Sequence, residues 1–230
     1  MIDFIFMLTH HDATVEGALE VYGQTRGTGL RYVGFKDIGA PAHVLAEVTG
    51  AAHADGLEVM LEVVSTSVED ELRSLQAAAE VGVDWVLGGT HAEAGVDIFN
   101  GSPTRYCPFP GKVSGHPSVL GGSIDQIAQH SRALTALPGV HGVDLLAYRH
   151  TTVDPVALIR AVVTASNGPV IVAGGVTGPE QINAIAAAGA WGFTIGGAIF
   201  EGHLPGAPDT AAQIVAVLQM CSVAGEARDQ

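Results

Sequence analysis

The chain has only two lysines, Lys36 and Lys112, and each follows a strand-like apolar stretch. Surface lysines normally scatter over helices, and here none do. A lysine at the mouth of an apolar interior loses hydration. Its pKa then falls toward the range of a nucleophile or base, and a nearby second cation lowers it further. Glu62 is the companion feature, a carboxylate inside the apolar run Val59-Met60-Leu61-Glu62-Val63-Val64. It cannot face a helix layer cheaply, so it is expected to point into an interior mouth. Adjacent strands lie about 4.8 Å apart, so Lys36 and Glu62 can meet if their strands are neighbours. They would form either a plain interior ion pair or a general acid–base pair.

Five histidines stand beyond other apolar runs: His10, His11, His91, His116 and His150. Their spacing matches no compact ligand motif, and His10 and His11 point to opposite faces if extended. They are read as acid–base groups or hydrogen-bond donors, with His91 catalytic and His10 and His116 binding substrate. No metal or cofactor is called for. Arg149 can clamp a carboxylate or phosphate bidentately. Cys107 and Cys221 lie far apart, and no local signature marks either as a nucleophile.

Two glycine pairs, Gly174-Gly175 and Gly196-Gly197, each close a short apolar run. Such pairs either serve tight turns that need positive φ or let backbone N–H groups approach an anion. In a (β/α)8 barrel the loops after strands 7 and 8 commonly hold a phosphate.

The elements that must position these residues alternate throughout. Strand-like runs are read at 2–8, 30–35, 57–64, 83–87, 105–113, 140–147, 170–176 and 193–198. Helices are read at 14–25, 41–54, 67–81, 92–99, 123–137, 154–165, 178–188 and 209–221, and a frayed tail at 224–230. Ser67 heads a capping box with acid in the first turn, and Pro41 suits a first helical turn. Eight strand–helix units in 230 residues predict one (β/α)8 barrel domain over 1–230, with an open doubly wound sheet as the alternative.

With 47% hydrophobic and 15% charged residues the chain can bury a large core. A net charge of −14 opposes binding to nucleic acid or anionic membranes, yet a local cluster of cations can still hold an anionic metabolite. No run reaches the roughly 18 apolar residues of a membrane span, and the start lacks a basic n-region. A cytoplasmic protein is expected, and a homodimer is compatible with the sequence.

The segment from Pro169 to Ile199 (Val170 to Val176, Pro179-Glu180-Gln181, Ala188-Gly189-Ala190, Ile195 to Ala198) resembles the C-terminal quarter of ribulose-phosphate-binding barrels. It looks most like N-acetylmannosamine-6-phosphate 2-epimerases and histidine-pathway phosphoribosyl isomerases. The resemblance implies a small phosphorylated metabolite as partner. The Asp-x-Lys-x-x-Asp array of the superfamily's decarboxylases is absent, and Ala173-Gly174-Gly175 lacks the acid that the epimerases carry after strand seven.

Three functions compete. The first is proton transfer on a small phosphorylated carbonyl or sugar, of isomerase or epimerase type, with Glu62 as base and Lys36 or a histidine at the enolate oxygen. The second is a Schiff-base lyase or aldolase using Lys112 or Lys36. The third is a non-catalytic barrel that binds a phosphorylated ligand.

Overall fold

In the computed structural model, which describes residues 2–65 and 67–226, the apolar runs become eight parallel strands. These are β1 (Asp3–Met7), β2 (Tyr32–Lys36), β3 (Glu58–Val63), β4 (Trp85–Gly88), β5 (Arg105–Cys107), β6 (Val143–Leu145), β7 (Val170–Val172) and β8 (Gly192–Ile195). They lie in the order β6-β7-β8-β1-β2-β3-β4-β5. The ring closes between β5 and β6, where Tyr106 bridges Val140, His141 N–H donates to Tyr106 O at 2.8 Å, and Asp144 N–H donates to Pro108 O at 3.1 Å. The fold is thus a (β/α)8 barrel, as the alternation of elements predicts.

Residues that look like uniform apolar runs divide between two cores. Phe4, Phe6, Val33, Phe35, Val86, Val143 and Phe193 face the helices. Ile5, Met7, Met60, Leu87, Cys107 and Ile171 fill the interior. Burial on both faces removes the polar alternation of a half-exposed strand. The helix layer comprises α1 (Ala18–Gly23), α2 (Ala42–Ala54), α3 (Val68–Val81), α4 (Ala92–Phe99), α5 (Ile124–Leu134), α6 (Pro155–Ala165), α7 (Pro179–Ala187), α8 (Gly197–Phe200) and α9 (Thr210–Glu226). Ser67 caps α3 by accepting from Asp70 N–H, and Ser123 with Gln126 forms a full capping box on α5. Pro41 stands at the N-cap of α2, one residue before its expected place.

Two expectations need correction. Strand five ends at Cys107, because Pro108 and Pro110 break it. Lys112 lies instead in a separate antiparallel hairpin, Lys112–Ser114 with Val119–Gly121, above the barrel mouth. The tail is ordered further than expected, since α9 runs to Glu226 and buries Ala224; the remaining residues, 227–230, lie outside those described. Among the described residues no helix is long and apolar enough to cross a membrane.

Candidate active site

The strand C-termini surround a cavity of about 490 Å³ lined by residues of β1, β2, β3 and β8 and of the segments that follow β1, β5, β6, β7 and β8. Its floor is charged. Lys36 ends β2 and Glu62 lies one residue before the end of β3; the two are register partners, so both point inward at one level. Lys36 Nζ stands 3.4 Å from Glu62 Oε2, with both side chains about 95% buried.

Asp12 completes the cluster. After β1 the chain makes a small hairpin, Thr9–His10 with Ala13–Thr14, whose tip residues His11 (φ 50°) and Asp12 (φ 64°) are left-handed. Two consecutive non-glycine residues seldom adopt that conformation, and the surroundings must hold them there. Thr14 supplies the hold, its hydroxyl donating to Lys36 O at 2.8 Å and accepting from Lys36 N–H at 2.9 Å. The tip then directs the Asp12 carboxylate inward. Its Oδ1 accepts from Lys36 Nζ at 2.5 Å and from Arg149 Nη2 at 2.7 Å. Its Oδ2 accepts a long bond from Ser118 N–H at 3.4 Å, with His116 Nδ1 at 3.5 Å.

The electrostatics follow from these contacts. Burial pushes the Asp12 carboxyl up, but Lys36 and Arg149 together outweigh it and hold the group down at about 2. Burial pulls the Lys36 ammonium down, and Glu62 and Asp12 more than reverse this, so its pKa lies above the ordinary lysine value. The expected fall does not occur, because two carboxylates compensate the lost hydration.

The glycine pairs form the opposite wall, and their reasons for being glycine differ. Gly174 and Gly175 have φ of 73° and 75°. A Cβ on Gly174 would collide with the Arg149 side chain, which crosses it to reach Asp12, and one on Gly175 would come within 3.1 Å of Tyr148 Cβ. Gly196 has Thr9 O and Oγ1 at 2.5 Å from the same position. Gly197 alone is unconstrained, with His10 Cδ2 and Glu201 Oε1 its nearest neighbours at 3.8 Å. Three of these glycines are explained by packing, and the fourth leaves open space in the cavity wall.

The structure therefore brings together Lys36, Glu62, His10, Arg149, Gly174, Gly175, Gly196 and Gly197. His116 reaches the edge of the group through Asp12. Lys112 is exposed and His91 lies apart, and neither lines the cavity. His91 is the N-cap residue of α4, where the buried Glu71 of α3 accepts from its backbone N–H and contacts its Nδ1, both at 2.8 Å. The rings of His10 and His11 do not diverge but lie 3.8 Å apart, because the hairpin tip turns the chain. His10 Nε2 pairs with Glu201 Oε1 at 3.0 Å. Among the described residues no three His, Cys, Asp or Glu side chains are arranged to hold a metal ion. Sequence reasoning missed Asp12, Glu201 and Asp144.

No protein-family model matches the chain, and no curated protein matches it in sequence. Solved structures do match in fold. Thiamine phosphate pyrophosphorylase from Pyrococcus furiosus aligns with a TM-score of 0.63 at 13% identity, covering 97% of this chain and 96% of that one. A monomeric form of the dimeric phosphoribosylanthranilate isomerase from Thermotoga maritima aligns at 0.65 and 14% identity, over 97% and 100%. Orotidine 5'-phosphate decarboxylase from Pyrococcus horikoshii OT3 aligns at 0.65 and 14% identity, over 95% and 99%. At these identities the likeness is one of fold.

Proposed function

We propose that this barrel is an enzyme that moves protons on a small phosphorylated carbonyl or sugar substrate, as an isomerase or epimerase does. One observation carries the reading: a single cavity joins a buried lysine–glutamate pair to an open backbone wall at Gly197. The phosphate lies against Gly197, within reach of His10, and the carbonyl carbon faces Glu62. Glu62 takes the proton α to the carbonyl. Lys36, kept cationic by its two carboxylates, stabilises the oxygen as negative charge develops there. Asp12, itself held by Arg149, fixes the ammonium in place.

The fold neighbours support a phosphorylated substrate, since each is named for an enzyme of a phosphate ester. The Schiff-base alternative loses support. A nucleophilic amine must be neutral, and Lys36 is held as the cation, while Lys112 is exposed. The reading includes a single barrel domain in the cytoplasm.

Gly197→Ala tests the phosphate wall. Its Cβ meets nothing closer than 3.8 Å, so the fold tolerates it. Inorganic phosphate should raise the thermal midpoint of the parent but not of the variant; equal protection of both would refute the site. Incubating phosphorylated ketoses and aldoses in D₂O should then show deuterium entering one of them. Glu62→Gln should slow that exchange by about a hundredfold or more with little loss of binding.

A further inference from the structure

Asp144 is the middle residue of β6 and is completely buried. Neither of its carboxyl oxygens has a hydrogen-bond partner among the described residues. Buried carboxylates are almost always satisfied, so an unsatisfied one requires an explanation. Its backbone N–H is already committed to Pro108 O. The interior around it is apolar or neutral: Leu87 of β4, Cys107 of β5 and Ile171 of β7, its register partner. The charges that act on it are Glu62 of β3, Lys36 of β2 and Arg149 from the turn after β6.

Counting charge settles which form fits. The two cations Lys36 and Arg149 are balanced by the two anions Asp12 and Glu62, through contacts already made. A third carboxylate would be an unpaired anion in the driest part of the barrel, which costs far more than retaining a proton. We propose that Asp144 is a carboxylic acid in the resting protein, which leaves Glu62 as the interior anion free to act as base.

The inference rests on the proposed role of Glu62, and it adds a consequence for the reaction. When Glu62 takes a proton, the substrate C–H bond breaks, its electron pair moves to the carbonyl oxygen, and an O–H bond forms on Glu62. Asp144 keeps its own proton. The buried cluster of Lys36, Arg149, Asp12 and Glu62 passes from neutral to one net positive charge, matched to the enolate it then faces. With Asp144 ionised, that surplus would vanish. Burial first, and then the charge of Glu62, push the Asp144 carboxyl well above the usual carboxylate range against the pull of Lys36 and Arg149.

Infrared spectroscopy tests this without any substrate. At pH 7 the parent should show a carboxylic-acid C=O stretch that shifts on ¹³C labelling of aspartate carboxyls and is missing from Asp144→Asn. Glu62→Gln removes the neighbouring anion, so the same band should titrate away about one pH unit or more lower than in the parent. An exchange-competent parent should lose rate at high pH as Asp144 ionises, and Asp144→Asn should not. Absence of the aspartate band at pH 7, or a band indifferent to Glu62→Gln, would overturn the proposal. A band that behaves as described in a parent that exchanges no phosphorylated substrate would instead count against the proposed reaction and leave the protonated Asp144 standing.

Discussion

The two ends of this barrel use similar side chains to opposite effect. At the N-terminal end Arg31 meets Asp3 at 3.2 Å and Arg105 meets Glu58 at 2.9 Å. Glu58 also accepts from the Trp85 indole at 2.6 Å, and Trp191 lies against Trp85 and Tyr32 to plug the opening. Charges there are matched one to one, partly wet, and backed by aromatic rings. At the C-terminal end two cations face three buried carboxyl groups, one of them unpartnered, beneath a cavity walled by glycine. A closed, balanced end contributes stability. A hollow end with an unpartnered carboxyl group gives some of it up, which is expected where groups are kept for chemistry.

The sharpest way to break this contrast is to remove one cation from each end. Lys36→Met strands Glu62 and deprives Asp12 of one of its two cations, so it should cost about 3–5 kcal/mol in urea unfolding. Arg105→Met breaks a half-exposed pair and should cost about 0.2–1 kcal/mol. Equal losses would mean that the two ends do not differ in the way the geometry indicates. Trp191→Ala probes the plug from the other side. Losing its ring contacts should cost about 3 kcal/mol, while protection by inorganic phosphate stays as in the parent. Loss of that protection would show that the two ends are not independent.

The contrast was only partly legible in the sequence. Eight apolar runs were readable because strands buried on both faces carry no polar alternation. The meeting of Lys36 with Glu62 followed from their places at the ends of successive strands. Lys112 misled because Lys112-Val113-Ser114 fits a surface hairpin as well as a strand end. His91 misled because its partner, Glu71, lies on a different helix, and no local spacing announces the contact. Asp12 was hidden by backbone geometry, since nothing in His10-His11-Asp12 signals two left-handed residues in a row. Asp144 carries the same mark as Glu62, a lone acidic residue within an apolar run, but Val140 to Ala147 reads as one uniform strand.

Acid acts by a smaller amount, and in opposite directions, on two carboxyl groups of the C-terminal end, and the sign follows from the direction of each shift. An unfolded aspartate titrates near 3.9, whereas Asp12 in the fold is held at about 2. Between those values the unfolded chain binds more protons, so the contribution of Asp12 is full above about pH 4 and is lost as pH falls toward 2. It amounts to about 2 kcal/mol. Asp144 works in the other direction. Its folded pKa is raised, so the native state binds the extra proton, and stability declines as pH rises above about 4. The stability gap between the parent and Asp12→Asn should therefore be widest above pH 4 and shrink on acidification. The gap between the parent and Asp144→Asn should move in favour of the variant toward alkaline pH. A gap for Asp12→Asn that stays constant from pH 6 to pH 2.5 would show that Lys36 and Arg149 do not hold that carboxylate as the geometry requires.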